Sequence, residues 1–197
     1  MYALPAHRID DRAALIATAR EIGFACVVTP SPEGMLATHV PVTVRNDAVE
    51  FHVALANAHW RAADGGEETL VVFQGPHAYV HPGWYPTKAE TGRVVPTSLY
   101  VAVQARGVLS RMTDEETAAQ IEALTDASER GREHPWAVGD APADYLAKMT
   151  RAIVGLRVTI REIEGVRKLN QHKGEADRTG TRDGLLAEGS ALGAMMG

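Results

Sequence analysis

The chain has 197 residues, 45% hydrophobic and 6% aromatic, with a formal net charge of −5. That apolar content can bury one full core, and no apolar run is long enough to cross a bilayer, so a globular protein without a membrane partner is expected. The basic residues are spread along the chain, which leaves no electrostatic footprint for nucleic acid.

A single cysteine, Cys26, lies in the apolar run 24–28, where it reads as a small buried thiol rather than a nucleophile; no disulfide can form within one chain. Residues 1–7 lack the apolar stretch of a secretion signal, so a cytoplasmic location is expected.

In chain order, Asp10 and Asp11 are placed to cap a helix whose apolar residues Leu15, Ile16, Ala19 and Ile22 recur at helical spacing, and Gly23 ends it. Strand-like pieces follow at 24–29, 35–40, 43–45 and 49–54, separated by Pro30-Ser-Pro-Glu-Gly34 and by the turn Asn46-Asp47. In the last of these, Val49, Phe51 and Val53 share one face, so His52 points the other way. Further strands are expected at 69–74, 78–80 and 98–109. Six or seven strands with hairpin spacing favour an antiparallel barrel.

Thr113-Asp-Glu-Glu116 forms a capping box for a helix reaching Glu129, and a second helix is expected from Pro142 to about Ile153. Residues 156–163 then alternate as a half-buried strand. The whole reads as one domain over 1–197, mainly β with α insertions, with a helical insertion at about 113–154 and a charged, glycine-rich tail from about 165 that ends in a weak helix.

Two stretches stand out, His52 to Trp60 and Gln74 to Pro86. They gather His52, His59, His77 and His81 with Trp60, Trp84, Tyr79 and Tyr85, a composition that fits a pocket for a flat ligand. The motifs of a zinc site, a nucleotide-binding loop and a serine hydrolase are all missing.

The order of motifs resembles the PaiB-type FMN-binding split-barrel family over nearly the whole chain. The resemblance is carried by Ala37-Thr-His-Val-Pro41, His52-Val-Ala54 with Asn57 and Trp60, Phe73-Gln-Gly-Pro-His-Ala-Tyr79, Trp84-Tyr-Pro-Thr-Lys88, Val95-Pro-Thr97 with Tyr100, Ala152-Ile-Val-Gly155, and Lys168-Leu169 with Gln171. It implies a six-stranded antiparallel split barrel that forms a homodimer. Leu55 stands where the family pattern has arginine, which removes a partner for the phosphate of FMN, and His59 brings an imidazole suited to haem iron.

With that exchange the chain is similar to the piperazate synthases. The resemblance then implies haem b as cofactor and N5-hydroxy-L-ornithine as substrate, cyclised to L-piperazic acid by N–N bond formation with loss of water. The alternatives are an FMN-binding PaiB-type transcriptional regulator and a haem-binding or haem-degrading protein of the same fold. On this reading His59 is the axial metal ligand, His81 the second choice, and Trp60 and Gln171 border the cofactor. Lys168 is either the base that frees the substrate amine or a cation for a cofactor anion, and His52 assists proton transfer or binds substrate. Trp84, Tyr85, Lys88 and Arg93 are the candidates for holding the substrate.

Overall fold

A computed structural model describes residues 1–197. It is a mixed α+β protein with one seven-stranded antiparallel sheet in the order β2-β1-β5-β6-β7-β4-β3. The strands are β1 (Phe24–Ser31), β2 (Gly34–Pro41), β3 (Thr43–Val44), β4 (Ala48–Ala54), β5 (Glu68–Val80), β6 (Thr97–Arg111) and β7 (Ile153–Lys168). The helices are α1 (Arg12–Ile22), α2 (Thr87–Thr91), α3 (Asp114–Glu129), α4 (Ala143–Thr150), α5 (Glu175–Ala187) and α6 (Ala191–Ala194). No helix is long and apolar enough to cross a membrane.

Local chemistry accounts for the element boundaries. The Asp11 carboxylate accepts the Ala14 N–H at 2.8 Å at the start of α1, and Gly23 ends it at φ 61°. Thr113 and Glu116 make the reciprocal capping box of α3. Two expected strands at 69–74 and 78–80 are one, β5, which runs through Gly75 and Pro76. Its ladder with β1 joins Leu70, Val71 and Val72 to that strand, so Pro76 lies beyond the ladder and its missing N–H breaks no bond of it.

The last strand is longer than expected, because Gly155 and Gly165 lie inside β7 rather than beside it. Each lets another element approach closely: an added Cβ at Gly155 would overlap the Thr117 hydroxyl, and one at Gly165 would overlap Leu15.

The chain divides into two compact units, and α1, β5, β6 and β7 each contribute residues to both. The first comprises Met1–Leu15, Gln74–Val103 and Glu164–Gly197. Its core joins Val80, Tyr85, Leu99, Leu169, Leu185 and Leu192, and Met196 is buried there while Met195 packs against it. Helix α5 presses on the segment before α2, since an added Cβ would overlap the Trp84 carbonyl oxygen at Gly180 and the Trp84 ring at Gly184.

The second unit comprises Ile16–Phe73 and Gln104–Ile163. Val27, Phe51, Phe73, Leu109 and Leu156 are buried in it. Strand β4 is in register with β7, placing Glu50 opposite Arg157 and His52 opposite Gly155. Glu50, on the same side of β4 as His52, is only 6% exposed. Its carboxylate is satisfied by Arg45 at 3.0 Å and by Arg157 at 2.8 and 3.0 Å, and Arg157 also donates to Glu116 at 2.8 Å.

Candidate functional site

The second unit holds His52, His59 and Trp60. His59 sits in the 3-10 segment Ala58–Gly65, entered through Asn57, whose side chain accepts the His59 N–H at 2.9 Å. The imidazole is 1% exposed. Its Nδ1 is 2.8 Å from the Thr38 hydroxyl on β2, and its Nε2 is 2.8 Å from the Thr29 hydroxyl on β1.

Thr29 continues to the Thr69 hydroxyl on β5 at 2.8 Å, Thr69 donates to the Glu67 carbonyl at 3.3 Å, and Asn57 donates to Thr38 at 3.4 Å. One assignment satisfies every member: Asn57 N–H to Thr38, Thr38 O–H to Nδ1, Nε2–H to Thr29, Thr29 O–H to Thr69, Thr69 O–H to Glu67. Every hydrogen then points the same way along the chain. Burial pushes the His59 pKa down, which keeps the ring neutral in this setting.

His52 is half-buried, and its Nδ1 is 2.9 Å from Gln120 Oε1. The Gln120 amide nitrogen donates to Thr43 at 3.2 Å, so its oxygen is the acceptor and His52 Nδ1 carries the proton. That leaves the lone pair on Nε2. Trp60 donates its indole N–H to the Leu55 carbonyl at 2.8 Å and meets the guanidinium groups of Arg61 and Arg111 at 4.9 and 4.3 Å. Beside it, a cleft of about 740 Å³ is lined by the β1–β2 hairpin and by the 3-10 segment that carries His59.

The other seven expected residues lie in the first unit. His81 is exposed, its ring edge-on to Trp84 at 6.1 Å, with no hydrogen bond to either nitrogen. Trp84 is half-buried beneath α5. Tyr85 is 2% exposed, and its hydroxyl accepts from Asn170 at 3.1 Å. Both rings are therefore occupied in packing the first unit. Lys88, on α2, and Arg93 are exposed. The half-buried Lys168 ammonium donates to the Thr97 hydroxyl at 2.8 Å and has no carboxylate partner. Gln171 turns back on its own chain, accepting from Leu169 N at 2.8 Å and donating to the Arg167 carbonyl.

Sequence reasoning missed several partners. His7, 4% exposed, contacts His172 at 3.2 Å. Burial first, then the nearby His172 and Lys168, push the His7 pKa down. Asn170 is fully buried at φ 60°; its amide nitrogen donates to Tyr85 and Thr181, and its side-chain oxygen has no partner. The hydroxyl partners of His59 had no signal beyond the alternation that turns Thr29 inward.

These placements test the expected cofactors. Three or more His, Cys, Asp or Glu side chains are nowhere grouped as for a metal ion. His59 does not fit axial ligation of haem iron, because both ring nitrogens are bonded and the Nε2 side faces the fully buried hydroxyls of Thr29 and Thr69. His81 fits better, being an exposed imidazole without a hydrogen bond although its Nε2 edge lies against Gly83, and Lys168 fits the anionic group of either a haem or a flavin.

A family model described as "Putative FMN-binding domain" matches residues 1–162. The chain is 30% identical over 162 residues to "Protease synthase and sporulation protein PAI 2" of Bacillus subtilis, covering 80% of this chain and 76% of the relative. Among solved structures it is similar to the FAD and heme binding protein of Mycobacterium smegmatis, with TM-score 0.64, 16% identity, 82% of this chain and 73% of the other covered. It is also similar to the flavocytochrome Anf3 of Azotobacter vinelandii, with TM-score 0.61, 13% identity, 86% and 73% covered. At those identities the structural likeness concerns the fold alone.

Proposed function

The chain belongs to this FMN-binding-domain family, and from that premise we propose that it is an enzyme holding haem b that cyclises N5-hydroxy-L-ornithine to L-piperazic acid. The observation that carries the reading is His81, an exposed imidazole that makes no hydrogen bond, in the same unit as a Lys168 ammonium that no carboxylate neutralises. Leu55 in place of the family's arginine supports haem over a phosphate-bearing flavin. One neighbour of this fold is named for binding both FAD and heme, so the cofactor choice is open within the architecture.

In the reaction the α-nitrogen forms a bond to N5 while the N5–O bond breaks and its electron pair leaves with oxygen. The one proton that the α-amine loses on forming the bond joins the departing hydroxide to make water, so no external reductant or oxidant is consumed. Haem iron, when bound, supplies a Lewis acid for the departing oxygen. His81 would hold the cofactor, and Lys168 would act either as the free amine, taking the proton of the α-ammonium, or as the ammonium, pairing with an anionic group of the cofactor. Holding both nitrogens of one flexible substrate within bonding distance is the remaining task, and Lys88 and Arg93 are the exposed cations in this unit suited to its carboxylate.

The second reading is FMN binding without this chemistry, favoured by the same Lys168 ammonium, which suits a phosphate equally well. Titrating the purified chain separately with hemin and with FMN distinguishes the two. The haem reading expects a Soret band that His81→Ala abolishes and His59→Gln retains, together with L-piperazic acid formed from N5-hydroxy-L-ornithine without added reductant. Flavin bands with no Soret band return the chain to the second reading, and a Soret band lost only in His59→Gln moves the ligand to His59.

A further inference from the structure

The cleft of about 740 Å³ in the second unit carries a charge pattern that the cofactor reading leaves unused. Pro30, Leu36 and Ala62 give it an apolar surface, and Glu33, Arg61 and Glu67 also line it. No ion pair joins these three side chains to one another or to any other group. Arg61 lies over the Trp60 ring at 4.9 Å. The single Ser31 hydroxyl hydrogen goes chiefly to the Gly34 carbonyl at 2.8 Å, with Glu33 Oε2 at 3.2 Å as the longer branch, which leaves the Glu33 carboxylate open to a ligand. Glu67 Oε1 stands 2.9 Å from where a Cβ on Gly65 would be, so the glycine lets this carboxylate fold down against the 3-10 segment.

Two carboxylates and one guanidinium on an apolar surface are the complement of a molecule with two ammonium groups, one carboxylate and a methylene chain. We propose that this cleft binds a free basic amino acid of the lysine class. Arg61 takes the α-carboxylate, Glu33 and Glu67 take the two ammonium groups, and the methylenes lie along Pro30 and Leu36. The two walls are tied from behind by His59, which bonds Thr29 of β1 and Thr38 of β2 from within the 3-10 segment, so the cleft exists before any ligand enters. This inference needs neither haem nor flavin and stands apart from the cyclase reading.

The test is isothermal titration of the full chain, without added cofactor and at low salt, with four probes: L-lysine, cadaverine, L-norleucine and 6-aminohexanoate. The last three lack the carboxylate, the side-chain amine and the α-amine in turn. L-Lysine is expected to bind about tenfold more tightly than each of them, since removing one charge-assisted hydrogen bond costs roughly a factor of ten or more in affinity. Arg61→Ala removes the preference of L-lysine over cadaverine, Glu33→Gln and Glu67→Gln each weaken L-lysine about tenfold, and Gly65→Ala weakens it by displacing Glu67. All four positions are exposed, and an unchanged circular-dichroism spectrum and thermal midpoint confirm that the variants fold. The proposal is overturned if L-lysine gives no heat at millimolar concentration, if cadaverine binds as well, or if the three charge variants bind L-lysine like the parent chain.

Discussion

His7 Nε2 and His172 Nδ1 stand 3.2 Å apart, joining the start of the chain to the segment after β7. His7 is buried, and burial, His172 and Lys168 in that order depress its pKa. A proton-detected titration of the ring is therefore expected to place His7 below the ordinary value of about 6.5. His172→Asn removes one of the lesser causes and raises the midpoint, while burial keeps it below that of a free imidazole. A His7 midpoint at or above the ordinary value overturns this account.

His59 also stays neutral in the folded chain, because burial lowers its pKa. The unfolded chain takes up a proton near pH 6.5 that the folded chain refuses, so the contribution of His59 to stability is complete above that pH and declines as pH falls below it. The urea midpoint is expected to drop between pH 7 and pH 5, and His59→Gln, whose amide does not titrate, flattens that limb. An unchanged slope in the variant rules His59 out as a source.

His59→Ala removes the imidazole and leaves the hydroxyls of Thr29 and Thr38 without their partner, Thr29 being fully buried. Cavity and unmet polar groups together predict a loss of about 3 to 5 kcal/mol, read from urea unfolding. A loss under about 1 kcal/mol means that the site collapses or admits water freely.

Gly180→Ala sets two effects against each other. Alanine favours the helix by about 1 kcal/mol, whereas its Cβ meets the Trp84 carbonyl, a backbone atom that cannot swing aside. The clash is expected to win, with a net loss of about 1 to 3 kcal/mol and faster proteolysis within residues 175–197. A stabilised variant means α5 shifts without penalty.

Glu50→Gln leaves Arg157 with Glu116 alone. A fully buried pair broken on one side costs roughly 3 to 5 kcal/mol, and the cost here is expected nearer 2 because Arg157 is partly exposed and keeps one carboxylate. Chemical denaturation of Glu50→Gln and of Glu50→Gln with Arg157→Met reads it: the double variant recovers stability if the unpaired cation is the cost.

Much of the fold was legible because its signals are local. The capping box at Thr113 and Glu116, the turn at Asn46-Asp47 and the alternation that buries Val49, Phe51 and Val53 all depend on neighbours in sequence. What was hidden depends on distant partners. Gly155 reads as a strand end until Thr117 is seen against it, and the burial of Glu50 has no signal until Arg157 comes into register. The candidate site shows the same division: the clustering of histidines marked His52, His59 and His81, but nothing near His59 in sequence reveals that Thr29 and Thr38 already hold both of its nitrogens.

The one-way run of hydrogens from Asn57 to the Glu67 carbonyl makes each of its threonine positions a selection for oxygen and not for shape. Serine at position 29, 38 or 69 keeps the current of donors intact and loses only a methyl group. Valine, nearly the same size as threonine, breaks the circuit at that point and strands a donor on one side and an acceptor on the other. Related chains that keep the imidazole are thus expected to trade threonine for serine at these three places and to avoid valine.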